Sequence, residues 1–125
     1  MQLQEKVLED FLQPIVRPWY DSPRNPTESQ QRVLSHLVGE YGKTRYGQNH
    51  RALDIETAAD FRANFPTIDY SGLVPYFEEV RKGDYDTILP EPPQHWVMTR
   101  GSMGPSKVLP ATKTHLEQIF SCGAR

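Results

Sequence analysis

Cysteine is almost missing from this chain of 125 residues, where Cys122 stands alone. An internal disulfide is therefore excluded, a reducing compartment fits, and cysteines alone cannot assemble a metal site. Long apolar runs are missing too. No stretch approaches the ~20 apolar residues that a membrane-crossing helix requires. The start, MQLQEKVLEDFLQ, carries acids early and lacks the basic-then-apolar order of a secretory leader. A cytoplasmic location is the expectation. A surplus of charge of either sign is also absent. Fourteen Lys and Arg, or 14, against 16 Asp and Glu leave a net charge of −2, without the concentrated basic face of a nucleic-acid binder. Apolar residues are sparse at 37%, and mean hydropathy is −0.65. Proline is what the chain has in quantity, with 11. A sequence this short and polar suits one compact domain or a piece of a larger one, and alone it buries a small share of its surface.

Apolar spacing places the elements. Leu3, Val7, Leu8, Phe11, Leu12 and Ile15 form one helical stripe over 2–16, with Pro14 near its end. RPWYDSPRNP (17–26) then reads as an irregular connector. The next helix has the clearest start: Asn25 caps it, Pro26 fits its first turn, and Glu28 completes a capping box. Val33, Leu34, Leu37, Val38 and Tyr41 share a face, and Gly42 or Gly47 ends the helix. DIETAADFRANFP (54–66) predicts a short helix burying Ile55, Ala58 and Phe61, stopped before Pro66. A further helix runs from about Ser71 to Lys82, with Leu73, Val74, Phe77 and Val80 inward and Gly83 as its stop. HWVMT (95–99) and KVLP (107–110) are short strands joined as a hairpin. TKTHLEQIF (112–120) starts a last helix, with Thr114 and Glu117 as a capping box. A capped helix that ends so soon at SCGAR reads as a chain cut short. The expected fold is α+β: a helical part of about four helices, then a short β-hairpin.

The hairpin link, TRGSMGPSK (99–107), is the stretch with chemical content. Phosphate loops use glycines so that backbone N–H groups can turn to an anion without a Cβ in the way, and hydroxyls and a lysine add hydrogen bonds and charge. Thr99, Gly101, Ser102, Gly104 and Lys107 supply these parts. The pattern is not a Walker A loop, which opens a helix rather than a strand. On composition alone an ordinary Gly/Pro hairpin turn is favoured. Elsewhere, His36, His50, His95 and His115 share no ligand spacing. GKTRYGQNHR (42–51) reads as cations at a helix C-terminus, EEVRKGDYD as a solvated charged face, and His95–Trp96 as core packing. Asp69, Glu78 and Glu79 make no acid/base pair, and Cys122 has no neighbouring base.

The order of the pieces points further than any piece alone. ESQQRVLSHLVGEYGKTRYG, then DFRANFPTIDYSGLVPYFEEVRKGD, then TRGSMGPSKVLPAT resembles the N-terminal part of the auxin-responsive, Gretchen Hagen-type acyl acid-amido synthetases, adenylate-forming enzymes. The likeness covers about residues 25–120. Gln31, Thr44 and Gly47 match the family's first element; Phe61, Pro66 and Tyr70 its second; Pro75, Tyr76 and Gly83 its third; and 99–107 its glycine-rich loop. The resemblance implies a fragment of a larger α/β adenylating domain. Residues 1–24 would be an N-terminal helix and Pro-rich connector, and 25–125 a partial N-terminal region of that domain. It implies ATP and Mg²⁺ as the intact family's requirements, a small-molecule carboxylate and amine as its substrates, and a loop holding the ATP phosphates through Thr99, Arg100, Gly101, Ser102, Gly104 and Lys107. Arg100 stands where the family has a small Ser, Met103 where it has Thr or Ser, and Pro105–Ser106 where it has x-Pro. No tight binding of ATP or Mg²⁺, and no ligase activity, is expected of this chain alone. The alternative is a truncated, non-enzymatic helical interaction module. Either way, neither nucleic acid nor membrane is an expected partner, and exposed apolar surface would favour self-association.

Overall fold

The computed structural model describes residues 2–101 and 104–123. In chain order it runs α1 (Gln2–Asp21), a 3-10 turn (Ser22–Arg24), α2 (Pro26–Tyr41), α3 (Arg45–Asn49), 3-10 turn Ala52–Asp54, α4 (Ala58–Asn64), α5 (Tyr70–Arg81), 3-10 turn Tyr85–Thr87, β1 (Pro93–Met98), β2 (Val108–Thr112) and α6 (Lys113–Gly123). The fold is α+β, mostly helical with one antiparallel hairpin.

Helix α1 continues through the expected connector to Asp21, carrying Pro14 and Pro18 inside it. Each proline removes one main-chain donor and crowds the carbonyl four residues back. The two prolines lie one turn apart on an exposed face, where water can satisfy the freed carbonyls, so the helix continues past them. It ends where Ser22 Oγ donates to the Pro18 carbonyl at 2.7 Å. Helix α2 starts as its sequence predicts: the Asn25 side chain accepts the Glu28 N–H at 3.5 Å. The return bond differs, with Glu28 accepting from the Asn25 side-chain amide at 2.8 Å rather than from its main chain. Gly42 ends α2.

Two expectations shift between α2 and α5. The short helix α3 has no apolar stripe and was not predicted. It is held by Thr44, whose Oγ1 accepts the Gly47 N–H at 3.0 Å. The helix expected over 54–66 begins only at Ala58, because Thr57 and Asp60 close a capping box there. Ile55 is buried just before that helix, whereas Ala58 and Phe61 are exposed. Phe65 takes an extended conformation ahead of Pro66, as the proline requires. Helix α5 is capped by Asp69 and tolerates Pro75 in its second turn. It gives way at Gly83, whose φ of 98° is in the left-handed region open to glycine.

The hairpin pairs Trp96 with Pro110, Val97 with Leu109 and Met98 with Val108, with an irregularity between Pro93 and His95. The Thr114–Glu117 capping box is not what starts α6. Thr112 Oγ1 accepts the His115 N–H at 3.2 Å, and Glu91 accepts the Thr114 N–H at 2.8 Å.

Val38, Ala52, Ile55, Phe77, Val80, Leu89 and Ala111 form the buried apolar core, joined by Thr44, Thr87 and Thr112. That core is small. The chain exposes 9832 Å², against about 6,800 Å² for a compact monomer of its 14.4 kDa by area scaling. Val7, Leu8 and Phe11 on α1 and Phe120 on α6 are all more than half exposed. No helix among the described residues is long and apolar enough to cross a membrane.

Candidate functional site

The loop 99–107 is fixed at its base from two sides. On the β1 side, the Thr99 N–H donates to the Lys107 carbonyl at 2.8 Å, and the Lys107 N–H donates to Thr99 Oγ1 at 3.1 Å. These bonds extend the ladder one step past the Met98–Val108 pair. On the helical side, the Tyr70 hydroxyl accepts the Val108 N–H at 3.0 Å and donates to the Val108 carbonyl at 3.2 Å. Tyr70 is placed there by the start of α5, where Asp69 accepts the Gly72 N–H at 2.9 Å. The Ser71 hydroxyl and the Gly72 N–H together hold the Asp69 carboxyl below its ordinary range. An aromatic line continues inward: Tyr70 lies 6.2 Å from Phe77 between ring centroids, and Phe77 lies 6.4 Å from Trp96. Arg81 caps the line, its guanidinium 3.9 Å from the Trp96 ring centroid.

Above this base the loop bounds an open hollow of about 580 Å³, lined by Tyr70, Thr99, Arg100, Gly101, Gly104, Pro105, Ser106 and Lys107. Two glycine features shape it. A Cβ on Gly101 would stand 2.1 Å from the Gly104 carbonyl oxygen, so the two strands of the loop approach as only glycine allows. Gly104 has a φ of 144°. Among the described residues the lining holds two cations and no carboxylate, whereas the hollow between α2 and α6 includes Glu40 and Glu91, and the one at the start of α2 includes Asp21 and Glu28. Most other cations are committed. Lys43 pairs with Glu40, Arg45 with Asp84 and Asp86, Arg51 with Asp54, and Lys82 with Glu79. Neither Arg100 nor Lys107 joins an ion pair among the described residues. The Lys107 ammonium stands 5.8 Å from the Tyr70 ring centroid.

Of the residues singled out from sequence, Thr99, Arg100, Gly101, Gly104 and Lys107 therefore line one hollow. Ser102, and Met103 beside it, lie outside the described residues. Sequence reasoning missed three contributors. Pro105 and Ser106 lie inside the loop but were given no site role, and Tyr70, matched only to the family's second element, is 38 residues from the strand it holds. The arrangement offers positive charge, a hydroxyl and glycine backbone to an anion. It offers no carboxylate, so it fits phosphate oxygens and does not fit Mg²⁺ as a direct ligand set. No group of three His, Cys, Asp or Glu suited to a metal ion occurs among the described residues.

The other candidates resolve into scaffold. His50 Nδ1 bonds the Asn64 carbonyl at 2.9 Å, and its ring packs against Tyr46 and Phe65. The cations of 42–51 are paired as above, and Glu78 and Glu79 face Arg81 and Lys82. Trp96 packs in the aromatic line but His95 is exposed, so the expected core packing holds for Trp96 alone, and Cys122 is free and exposed.

The family model described as the GH3 family N-terminal domain matches residues 18–124. The indole-3-acetic acid-amido synthetase GH3.8 of Oryza sativa subsp. indica is 30% identical over 91 residues, 71% of this chain and 15% of that protein. The chain thus spans about 15% of that relative's length. No solved structure matches it. With the match running from the end of α1 through the hairpin into α6, the chain belongs to the GH3 family.

Proposed function

We propose that the 99–107 hairpin loop is the phosphate-binding wall of an ATP-dependent, acyl-adenylating amido synthetase, and that this chain is an N-terminal part of such an enzyme. The observation that carries the reading is the hollow itself: among the described residues it is lined by two cations that join no ion pair, a threonine hydroxyl and two glycines, and by no carboxylate. The fit is with the family's activity as the relative's name gives it. In the reaction, a carboxylate oxygen attacks the α-phosphorus of ATP. An acyl–phosphate bond forms, the α–β bridging bond breaks, and pyrophosphate leaves. An amine nitrogen, from an amino acid, then attacks the acyl carbon, AMP departs and the amine loses a proton. Lys107 and Arg100 would stabilise charge on the β- and γ-phosphates, where fixed cations and backbone donors act most strongly.

This wall supplies one side of a site. Acyl transfer needs groups converging from several elements, so the chain alone is read as a weak phosphate binder without ligase activity. A cytoplasmic setting accords with the free Cys122. The test is a titration of the 125-residue chain with ATP and Mg²⁺, following the Gly101 and Gly104 amide resonances. Shifts in the wild type that weaken severalfold in Lys107→Ala, which keeps Arg100 in the lining, are expected. Equal shifts in both proteins, or none in either, refute the assignment. Carboxylate-dependent release of pyrophosphate by the chain alone would refute its inactivity.

A second reading is favoured by a different observation, the large exposed surface with its apolar α1 stripe. On that reading the chain is a non-enzymatic helical module that associates through α1. The titration above separates the two, because a non-enzymatic module gives no Lys107-dependent shift with ATP and Mg²⁺. A monomer at tens of micromolar in sedimentation equilibrium removes only self-association through α1.

A further inference from the structure

The floor of the hollow is a single side chain acting at a distance. Val108 pairs with Met98 but turns its own N–H and C=O away from β1, toward the open edge of β2. Edge groups of this kind ordinarily go to water or to another strand. Here one hydroxyl takes both, because Tyr70 Oη accepts the N–H at 3.0 Å and donates to the C=O at 3.2 Å. The residue immediately before, Lys107, is held by Thr99 from the opposite side through bonds of 2.8 and 3.1 Å. The main chain at 107–108 is therefore clamped across its width, and the Lys107 side chain is left exposed over the hollow.

We infer that Tyr70 is the positioning residue of the phosphate site: its hydroxyl fixes the backbone that aims Lys107, without itself reaching the anion. The inference rests on the phosphate reading above. Its physical basis is that a cation on a flexible four-carbon stem binds an anion usefully only when the stem's root is fixed, since the ordering cost is otherwise met on binding. Tyr70 is anchored for this task at its other end, by the Asp69 cap and by contact with Phe77. A Phe at this position keeps the ring, its contact with Phe77 and its place beneath the ammonium, and removes only the clamp.

The experiment is a double-mutant cycle on the 125-residue chain with Tyr70→Phe, Lys107→Ala and the pair, titrated with inorganic tripolyphosphate and, separately, with AMP. Tyr70→Phe should weaken tripolyphosphate binding about five- to tenfold, the scale of one or two lost hydrogen bonds, and leave AMP unchanged. In the Lys107→Ala background the same change should have little further effect, which a merely structural role would not produce. Additive losses, or equal binding by wild type and Tyr70→Phe, overturn the inference while the phosphate reading stands. Absence of tripolyphosphate binding by the wild type overturns both. A measurement on the wild type covers the case in which Tyr70→Phe does not fold. The Val108 amide should exchange with solvent as slowly as its paired neighbours although it lies on an open edge, and fast exchange there refutes the clamp.

Discussion

Replacing Thr44 with valine tests the joint between α2 and α3 with almost no change of shape. Thr44 is 1% exposed. Its Oγ1 accepts the Gly47 N–H at 3.0 Å and donates to the Tyr41 carbonyl at 2.6 Å. Valine keeps the volume and removes both bonds. The Tyr41 carbonyl stays satisfied, because the Thr44 N–H still reaches it at 3.0 Å. The Gly47 N–H is buried with that residue and is left without its cap. A lost N-cap costs about 1 kcal/mol, and a buried donor left unsatisfied raises the loss to about 2–3 kcal/mol. In a chain of this size that corresponds to a fall in Tm of roughly 10 °C. The assay is urea unfolding followed by circular dichroism, reading the midpoint with the slope held common. Thr44→Ser is the control. It keeps the hydroxyl and gives up one methyl, worth about 1 kcal/mol. If Thr44→Val unfolds within about 0.5 kcal/mol of wild type, inside the scatter of neutral surface changes, the account of this joint is wrong.

Three further outcomes follow from the same geometry. Gly47→Ala would place a Cβ 2.0 Å from the Tyr41 carbonyl oxygen, a backbone atom that cannot swing aside, and should cost at least about 2 kcal/mol in the same unfolding assay. Gly101→Ala meets the Gly104 carbonyl at 2.1 Å; its helical signal and unfolding midpoint should match wild type while tripolyphosphate no longer shifts the Gly104 amide, and retained binding would remove the close approach from the site's requirements. Acid should destabilise the fold in a defined window. The Thr114 N–H holds the Glu91 carboxyl below its ordinary 4.5, and hydrogen bonds from Thr57 and Ser71 hold Asp60 and Asp69 below 3.8. Because the folded values are depressed, the unfolded chain binds more protons there. The stabilisation is complete above the unfolded values and is lost as pH falls through the folded ones. Unfolding midpoints should hold from neutrality to about pH 5 and drop below about pH 4, with a shallower drop in Glu91→Gln; an unchanged drop would show that Glu91 takes no part.

Features written in adjacent residues were legible in the sequence. Asn25 and Glu28 fixed the start of α2, Gly83 the end of α5, and the composition of 99–107 the bend of the hairpin. What escaped was set by partners far along the chain or by solvent. Pro14 and Pro18 stop a helix in a crowded core, but here they sit on an exposed face. Thr114 looked like the cap of α6 because Glu117 follows it at the right spacing. The actual cap, Thr112, is two residues earlier, and Glu91, 23 residues back, takes the Thr114 N–H that Glu117 would have accepted. Helix α3 has too few residues for a periodicity to appear. It exists because Thr44 and Gly47 lock it to the end of α2.

The same comparison changes what the family-like residues mean. Outside the loop, each of them for which a contact is described holds the frame. Gln31 Nε2 donates to the Glu56 carbonyl at 2.6 Å, tying α2 to the approach of α4. Thr44 and Gly47 make the α2–α3 joint. Tyr76 sets its ring against Tyr46, 5.1 Å between centroids, and Tyr70 holds β2. None of these contacts involves the loop's outward surface. The frame therefore constrains where residues 99 and 107 sit; between them Gly101, by its close approach to Gly104, admits no side chain, and a side chain at Gly104 would be strained at its φ of 144°. On this division of labour, Arg100 adds positive charge beside the hollow without disturbing the hairpin's base, because its side chain is exposed and the bonds that fix that base belong to Thr99, Lys107, Val108 and Tyr70.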